Sequence, residues 1–309
     1  LRQGADNKGL RVNDAMRCLG LIVLLLVAGP AWSQTIVASV EPLAKLLRSL
    51  YGPEVEVVTL LQANQNPHQL ALSPRQVMQV RDADLLVWVG AGVEAPLAPL
   101  VARRDRVSVA LLELANVERR EGGHADHGHG HDDHDHHDEN GAHHNANLDP
   151  HLWLSIKNMQ LLAEAVANVM PEGLQQGQPG LWRQQAELTL GQLREQLGPY
   201  ASTDWLSYHQ PWGYFSAVVG LAEPLQVSQQ LDAGPGSRRF VALAQEIRDR
   251  KLHCMIVEPE ARAAMLHRLC PECKAVALDP LGRDQPSLNY LPWLNTLADG
   301  FQRCLQAGP

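Results

Sequence analysis

Residues 124–144 read HADHGHGHDDHDHHDENGAHH and hold nine of the chain's fourteen histidines. No Leu, Ile, Val, Met or aromatic side chain falls in this stretch. A segment with nothing apolar to bury cannot offset the entropy of ordering itself. The tract must therefore stand outside any core that the 309 residues build, with folded chain on either side of it. We expect a disordered surface loop over 121–147. Neutral imidazole is a common ligand for borderline cations. Asp126, Asp132, Asp133, Asp135 and Asp138 add hard oxygen donors between the rings. His124, His127, His129, His131, His134, His136, His137, His143 and His144 are read as an auxiliary metal-binding set. A floppy multidentate tract binds weakly and with little selectivity, so it does not say which metal is held tightly.

The N-terminus carries a targeting pattern. Arg17 and Cys18 precede an apolar run, Leu19–Ala28, and Ala31-Trp32-Ser33 fits a small-x-small cleavage site. This predicts a signal peptide starting at Met16 and cut near Ser33/Gln34, with Leu1–Ala15 as upstream sequence. The run is too short to span a bilayer, and Cys18 lies before it, where a lipid-modified cysteine would not be placed. The expectation is a soluble, exported protein. The formal charge is −8, and residues 1–33 hold four cationic and two anionic side chains, which leaves −10 after cleavage. Such an acidic chain suits cations and not nucleic acid. Four cysteines remain, Cys254, Cys270, Cys273 and Cys304, and they allow three pairings. Cys270-Pro-Glu-Cys273 could be a redox pair or half a zinc site. With no second C-x-x-C and an oxidising destination, a local structural disulfide is favoured.

Strand and helix patterns alternate. Thr35–Val40, Val55–Leu61, Asp84–Gly90 and Val107–Leu112 read as strands, with helices from Glu41 through Leu50 and from Ser73-Pro74 through Arg81. After the histidine tract come a helix over Ser155–Met170, a Gly/Pro/Gln break over 171–180, and an uninterrupted helix over Leu181–Leu197. The alternation then restarts. Strands are expected at Trp205–His209, Leu225–Ser228, Met255–Glu258 and Ala275–Asp279, with a helix over Phe240–Arg250. The fold class is α/β: two similar parallel-sheet lobes, over 34–175 and 200–309, joined by one long rigid helix within 176–199.

Five histidines lie outside the tract. His253 and His267 sit in polar, helix-flanking contexts and read as surface residues. His68 in Asn66-Pro67-His68, His151 in Asp149-Pro150-His151 and His209 in Tyr208-His209-Gln210 each lie where a strand or loop runs into a turn. Open α/β sheets bind ligands beyond such strand ends. Asp279 ends another strand in Leu278-Asp279-Pro280. Its alternative role is turn formation before proline. Three imidazoles with one carboxylate or water make a tetrahedral site suited to Zn²⁺. Glu258 is read as the cap of the helix after it, or as a partner behind a metal ligand or a general base. No H-E-x-x-H occurs, and no Glu sits within a turn of His68 or His151 to serve as base, which argues against a zinc hydrolase.

The motifs NPHQLALSPRQVMQVRDADLLVWVG, DPHLWLS, YHQPWGYF and LDPLG stand in this order, with the acidic histidine loop between the first two. In this the chain closely resembles, over about 34–305, the periplasmic zinc-binding proteins of ABC-type zinc importers, the cluster A-I substrate-binding proteins. The resemblance implies one tight metal site in the cleft between the lobes, with His68 and His151 from the first lobe and His209 and Asp279 from the second. It also implies weaker zinc binding by the loop, a periplasmic location, delivery of Zn²⁺ to an inner-membrane ABC permease, and no enzymatic activity. We expect a monomer. The manganese branch of the family has Glu where His209 stands, and imidazole there favours Zn²⁺ over the harder Mn²⁺. Some zinc members place a Glu just before the first histidine, whereas this chain has Pro67, so the fourth ligand is expected to be Asp279 or water. Cys254 and Cys304 match the positions of a disulfide in zinc members. The competing functions are a carrier of manganese or another divalent metal, a periplasmic zinc buffer and a zinc hydrolase.

Overall fold

Short β-branched and leucine-rich runs set the strands, and the chain returns over each sheet through helices. The structure is a computed structural model that describes residues 34–61, 65, 71–122, 148–170, 178–228 and 234–307. The expected signal peptide, His68 and the nine tract histidines lie outside the described residues. The first lobe runs β1 (Thr35–Ala38), α1 (Glu41–Tyr51), β2 (Glu56–Thr59), α2 (Pro74–Asp82), β3 (Leu85–Trp88), α3 (Ala98–Val101) and β4 (Ser108–Ala110). Two helices follow, α4 (Ile156–Val169) and α5 (Pro179–Leu197). The second lobe runs β5 (Leu206–Ser207), α6 (Gly213–Val219), β6 (Leu225–Gln226), α7 (Ser237–Asp249), β7 (Cys254–Val257), α8 (Ala263–Leu269), β8 (Lys274–Ala277) and α9 (Tyr290–Leu305).

Both sheets are wholly parallel and have the same topology, β2-β1-β3-β4 and β6-β5-β7-β8. In each, the chain goes from its first strand to one neighbour and then crosses back to the other side. The crevice at that reversal, beyond the carboxyl ends of β1/β3 and of β5/β7, is where such sheets receive ligands. The two parallel α/β lobes are as the sequence predicts. Helices α6, α8 and α9 were given no ranges by pattern reading. Glu121, expected inside the loop, instead makes an isolated antiparallel bridge with Leu148, closing the base of the histidine segment.

One hydrophobic cluster runs through both lobes. It links Ile36 and Leu85 of the first sheet, Trp153, Trp182 of α5, Ile256 of β7, and Tyr290, Trp293 and Phe301 of α9. A separate cluster lies on the far side of each sheet. Helix α5 packs against α4, α6 and α9, and α9 reaches from β7 and β8 to α1. The buried Lys45 of α1 donates to the carbonyls of Leu288 (3.0 Å) and Gln285, so the first lobe grips the loop before α9. That loop passes so close that a Cβ at Gly282 would lie 2.6 Å from Trp293 Nε1 and 2.8 Å from Lys45 Cε, and φ there is +60°. Only glycine fits such a position.

Two disulfides are present, Cys254–Cys304 and Cys270–Cys273. The first ties β7 to the end of α9 across a sequence separation of 50, the second spans only 3. Chain-entropy reasoning assigns about 4 kcal/mol to a loop of the first size and under about 2 kcal/mol to the second. Replacing Cys254 and Cys304 by serine should therefore lower unfolding stability by at least twice as much as replacing Cys270 and Cys273. Urea denaturation of the two double variants measures this, and equal losses would contradict it.

Glu94 closes the turn after β3, where its buried carboxylate accepts from Val89 N at 2.7 Å. Burial pushes it up from 4.5 to about 7, against opposing hydrogen bonds from Ser39 and the amides of Val89 and Gly90. A carboxyl raised in the folded state contributes stability below its unfolded pKa and loses it as pH rises through the folded one. Stability should fall between about pH 4.5 and about 7. Glu94→Gln, neutral throughout, should flatten that part of the curve. An unchanged slope in the variant would show that Glu94 does not titrate there.

Candidate metal centre

The carboxyl ends of the second sheet bring chemistry-bearing residues together. His209 follows β5 and Glu258 follows β7, on either side of the reversal point. His209 N approaches Glu258 Oε2 at 3.4 Å. Glu258 does not cap the next helix, as the sequence suggested. Helix α8 begins at Ala263 with Arg262 as its N-cap, and the Glu258 carboxyl is buried beneath the His209 backbone. Burial pushes this acid up to about 8, against hydrogen bonds that include the His209 amide. The Ser207 hydroxyl donates to the His209 carbonyl, so the backbone on both sides of the imidazole is held.

His151 comes from the other side of the molecule. It precedes a single turn of 3-10 helix, Leu152–Leu154, and then α4, whose N-cap Ser155 accepts from Asn158 N. Its ring is 4% exposed as a residue and lies 2.8 Å, through Nδ1, from Asp149 Oδ1. The same oxygen accepts from His151 N at 3.0 Å. Asp149 thus turns back on its own chain across Pro150 and holds the ring from behind. With Asp149 ionised, Nδ1 carries the proton and Nε2 presents its lone pair, the usual arrangement behind a metal-ligating histidine. The His151 ring faces that of His209 with centroids 5.4 Å apart and meets Trp153 edge-on at 5.4 Å.

The lobes are tied around this pair. Trp153 Nε1 donates to Pro280 O at 2.8 Å, and Tyr290 Oη donates to Trp153 O at 2.6 Å. The neck of the histidine segment belongs to the same assembly. Asp149 N donates to Arg120 O, Arg120 N to Tyr214 Oη at 2.9 Å, and Tyr214 Oη to Asp149 O at 3.3 Å. Tyr214 lies on α6, and a Cβ on its neighbour Gly213 would sit 3.0 Å from Asp149 Oδ2. The segment with nine histidines therefore leaves the fold immediately beside His151.

His68 lies outside the described residues, but described residues on either side of it are fixed. Ser73 and Gln76 form a reciprocal capping box at the start of α2. The buried Gln76 amide also donates to Leu60 O at 2.6 Å and to Gln65 Oε1 at 3.0 Å. Asp279 follows β8, buried, and its carboxylate is directed onto Arg283 at 2.9 Å. Among the described residues, no three His, Cys, Asp or Glu side chains are arranged to hold a metal ion. What the described residues bring together is His151, His209 and their supports. Asp149 and Arg283 are supports that pattern reading left without these roles, and Glu258 takes the supporting place that the sequence offered beside the helix cap. The spacing Asp-Pro-His held a signal for the first. His267 is exposed as expected, and His253 is half-buried.

The family model described as zinc-uptake complex component A, periplasmic, matches residues 36–304. A high-affinity zinc uptake system protein, ZnuA, of Yersinia pestis is 26% identical over 322 residues, covering 96% of this chain and 100% of the relative. The protein of the same name from Paracoccus denitrificans is 30% identical over 275 residues, covering 80% of this chain and 83% of the relative. Among solved structures, a crystal structure of ZnuA superposes with a TM-score of 0.71 at 19% identity, covering 88% of this chain and 99% of that one. The Zn(II)-bound ZnuA-like domain of Streptococcus pneumoniae AdcA gives 0.68 at 18% identity, covering 88% and 99%. These structures have the two-lobe fold described above. The chain belongs to the family of periplasmic zinc-uptake component A proteins.

Proposed function

We propose that this protein captures Zn²⁺ in the periplasm and delivers it to an inner-membrane ABC permease. The ion is held by His68, His151 and His209, with Asp279 or a water in the fourth position. The observation that carries this reading is the pair His151 and His209, facing each other from two lobes at 5.4 Å. His151 is backed by a carboxylate, which leaves Nε2 for the ion. Three neutral imidazoles favour Zn²⁺ over the harder Mn²⁺. The zinc-uptake names of its relatives support the same cargo. The protein acts as a carrier and not as an enzyme. A zinc hydrolase needs a base facing substrate, and Glu258, the acid against the His209 amide, is 3% exposed under that residue's backbone. The histidines of 124–144 form weaker, accessory zinc sites that raise the local concentration of the ion beside His151. The carrier acts as a monomer.

Zinc titration by competition with a chelator tests the reading. His151→Ala and His209→Ala should each weaken tight binding at least about 100-fold, and Asp149→Asn about 10–100-fold, the usual effect of removing a carboxylate behind a ligating histidine. Wild-type affinity in His151→Ala would sink the proposed site. Deleting 121–147 should lower the number of bound ions and leave the tight affinity within about tenfold, since ordering a flexible tract costs free energy that a preformed site does not spend. The accessory sites should weaken steeply below about pH 6, where imidazoles protonate. If deletion abolished tight binding instead, the buffer reading would replace the carrier.

A further inference from the structure

The family resemblance leaves open whether Asp279 or a water completes the coordination, and the neighbours of Asp279 bear on this choice. Its Oδ1 accepts from Leu281 N at 3.1 Å and from an Arg283 terminal nitrogen at 2.9 Å. Its Oδ2 accepts from Arg283 N at 2.6 Å and from Arg283 Nε at 2.9 Å. A carboxylate has about four lone-pair sites, and here each is filled. The guanidinium grips both oxygens in the bidentate geometry that makes Arg–carboxylate pairs the strongest of their kind. Burial adds to this. The side chains of Arg283 and Asp279 are 8% and 2% exposed, so water screens the pair little. Arg283 is itself braced, by Glu260 Oε1 at 2.6 Å and by Gln65 O at 3.4 Å. Gln65 lies three residues before His68. Arg283 therefore spans from the second lobe's carboxylate to the backbone of Gln65 in the first lobe.

We propose that Arg283 is a specificity-determining residue of the metal centre: it withholds the Asp279 carboxylate from the ion, so that Zn²⁺ is held by imidazoles and water. The inference rests on the zinc-site reading above and deepens it. Asp279 spends its charge on Arg283, and the donor set offered to the ion stays neutral and nitrogen-rich. That set suits a borderline cation. Mn²⁺, which favours hard anionic oxygen, loses the one carboxylate within the set. Arg283 acts through Asp279 and touches no ion itself, so it is a positioning residue. Its removal changes which metal is preferred more than whether metal is bound.

The test measures Zn²⁺ and Mn²⁺ affinities of the full mature chain by chelator competition, for wild type, Arg283→Gln and Arg283→Gln/Asp279→Asn. Arg283→Gln frees the carboxylate and should improve Mn²⁺ binding relative to Zn²⁺ by about tenfold or more, the gain expected from one added hard donor. The second substitution should abolish that gain. An affinity ratio within about twofold of wild type in folded Arg283→Gln overturns the proposal, as does a gain that survives Asp279→Asn. A crystal structure of the zinc-loaded wild type needs no variant. Asp279 still paired with Arg283, with a water on the ion, supports the proposal, whereas an Asp279 oxygen within ~2.2 Å of zinc refutes it. Zinc binding that survives His151→Ala would overturn the underlying site reading, and the proposal with it.

Discussion

Trp153 holds the two halves of this molecule in register. Its indole N–H donates to Pro280 O, its own carbonyl accepts from Tyr290, and its ring meets the His151 imidazole. Two residues after His151, in the 3-10 turn, it fixes the candidate ligand of one lobe to the residue that follows Asp279 in the other. The surroundings are dry, since Trp153, Tyr290 and Trp293 belong to a single core that runs through both sheets. A buried donor left without its acceptor costs about 1–3 kcal/mol. The contacts therefore hold as a set: shifting one lobe relative to the other would break the indole bond and open a core at once.

This has a consequence for how an ion could enter and leave. Hinge opening needs an interface that can part, as between domains that share little apolar surface. Here Lys45 reaches from α1 to the carbonyls of the loop before α9, and α9 itself packs from β7 and β8 to α1. Parting the lobes would leave a buried lysine without acceptors and expose several aromatic rings. The loop after β8 bears this load too, since Pro280, Gln285 and Leu288 supply the acceptors. Under the proposed function, exchange of the ion runs through local movement around a fixed body.

Much of the fold was legible because parallel strands covered on both faces are nearly all apolar, as in Leu85–Trp88. The Ser73-Pro74 start was legible because a cap is a local device. Helix α6 was not, because Trp212-Gly213-Tyr214-Phe215 reads as an aromatic turn and its helical state depends on packing in the shared core. The candidate imidazoles could be singled out by their places at strand and loop exits. The contacts of Glu258 and Arg283 could not, for a physical reason. Glu258 meets a residue 49 positions away. Arg283 stands four residues after Asp279 but in a loop, where helical spacing gives no warning of a pair. Tertiary structure alone made Glu258 a buried acid and not a helix cap.

The electrostatic logic of the centre follows from these supports. Two carboxylates flank it, each with a different partner. Asp149 accepts from the His151 ring and its amide, so its charge makes that imidazole a better donor. Asp279 is paired with a guanidinium, so its charge is cancelled where it stands. Were both free, the site would present two anionic oxygens and suit a hard cation. Under the proposed site, with one acting through a ring and the other held by Arg283, the field offered to the ion is that of imidazole nitrogens. Selectivity in such a site depends on where each carboxylate is directed more than on how many lie near, and the two guanidinium bonds and the one imidazole bond here direct them apart.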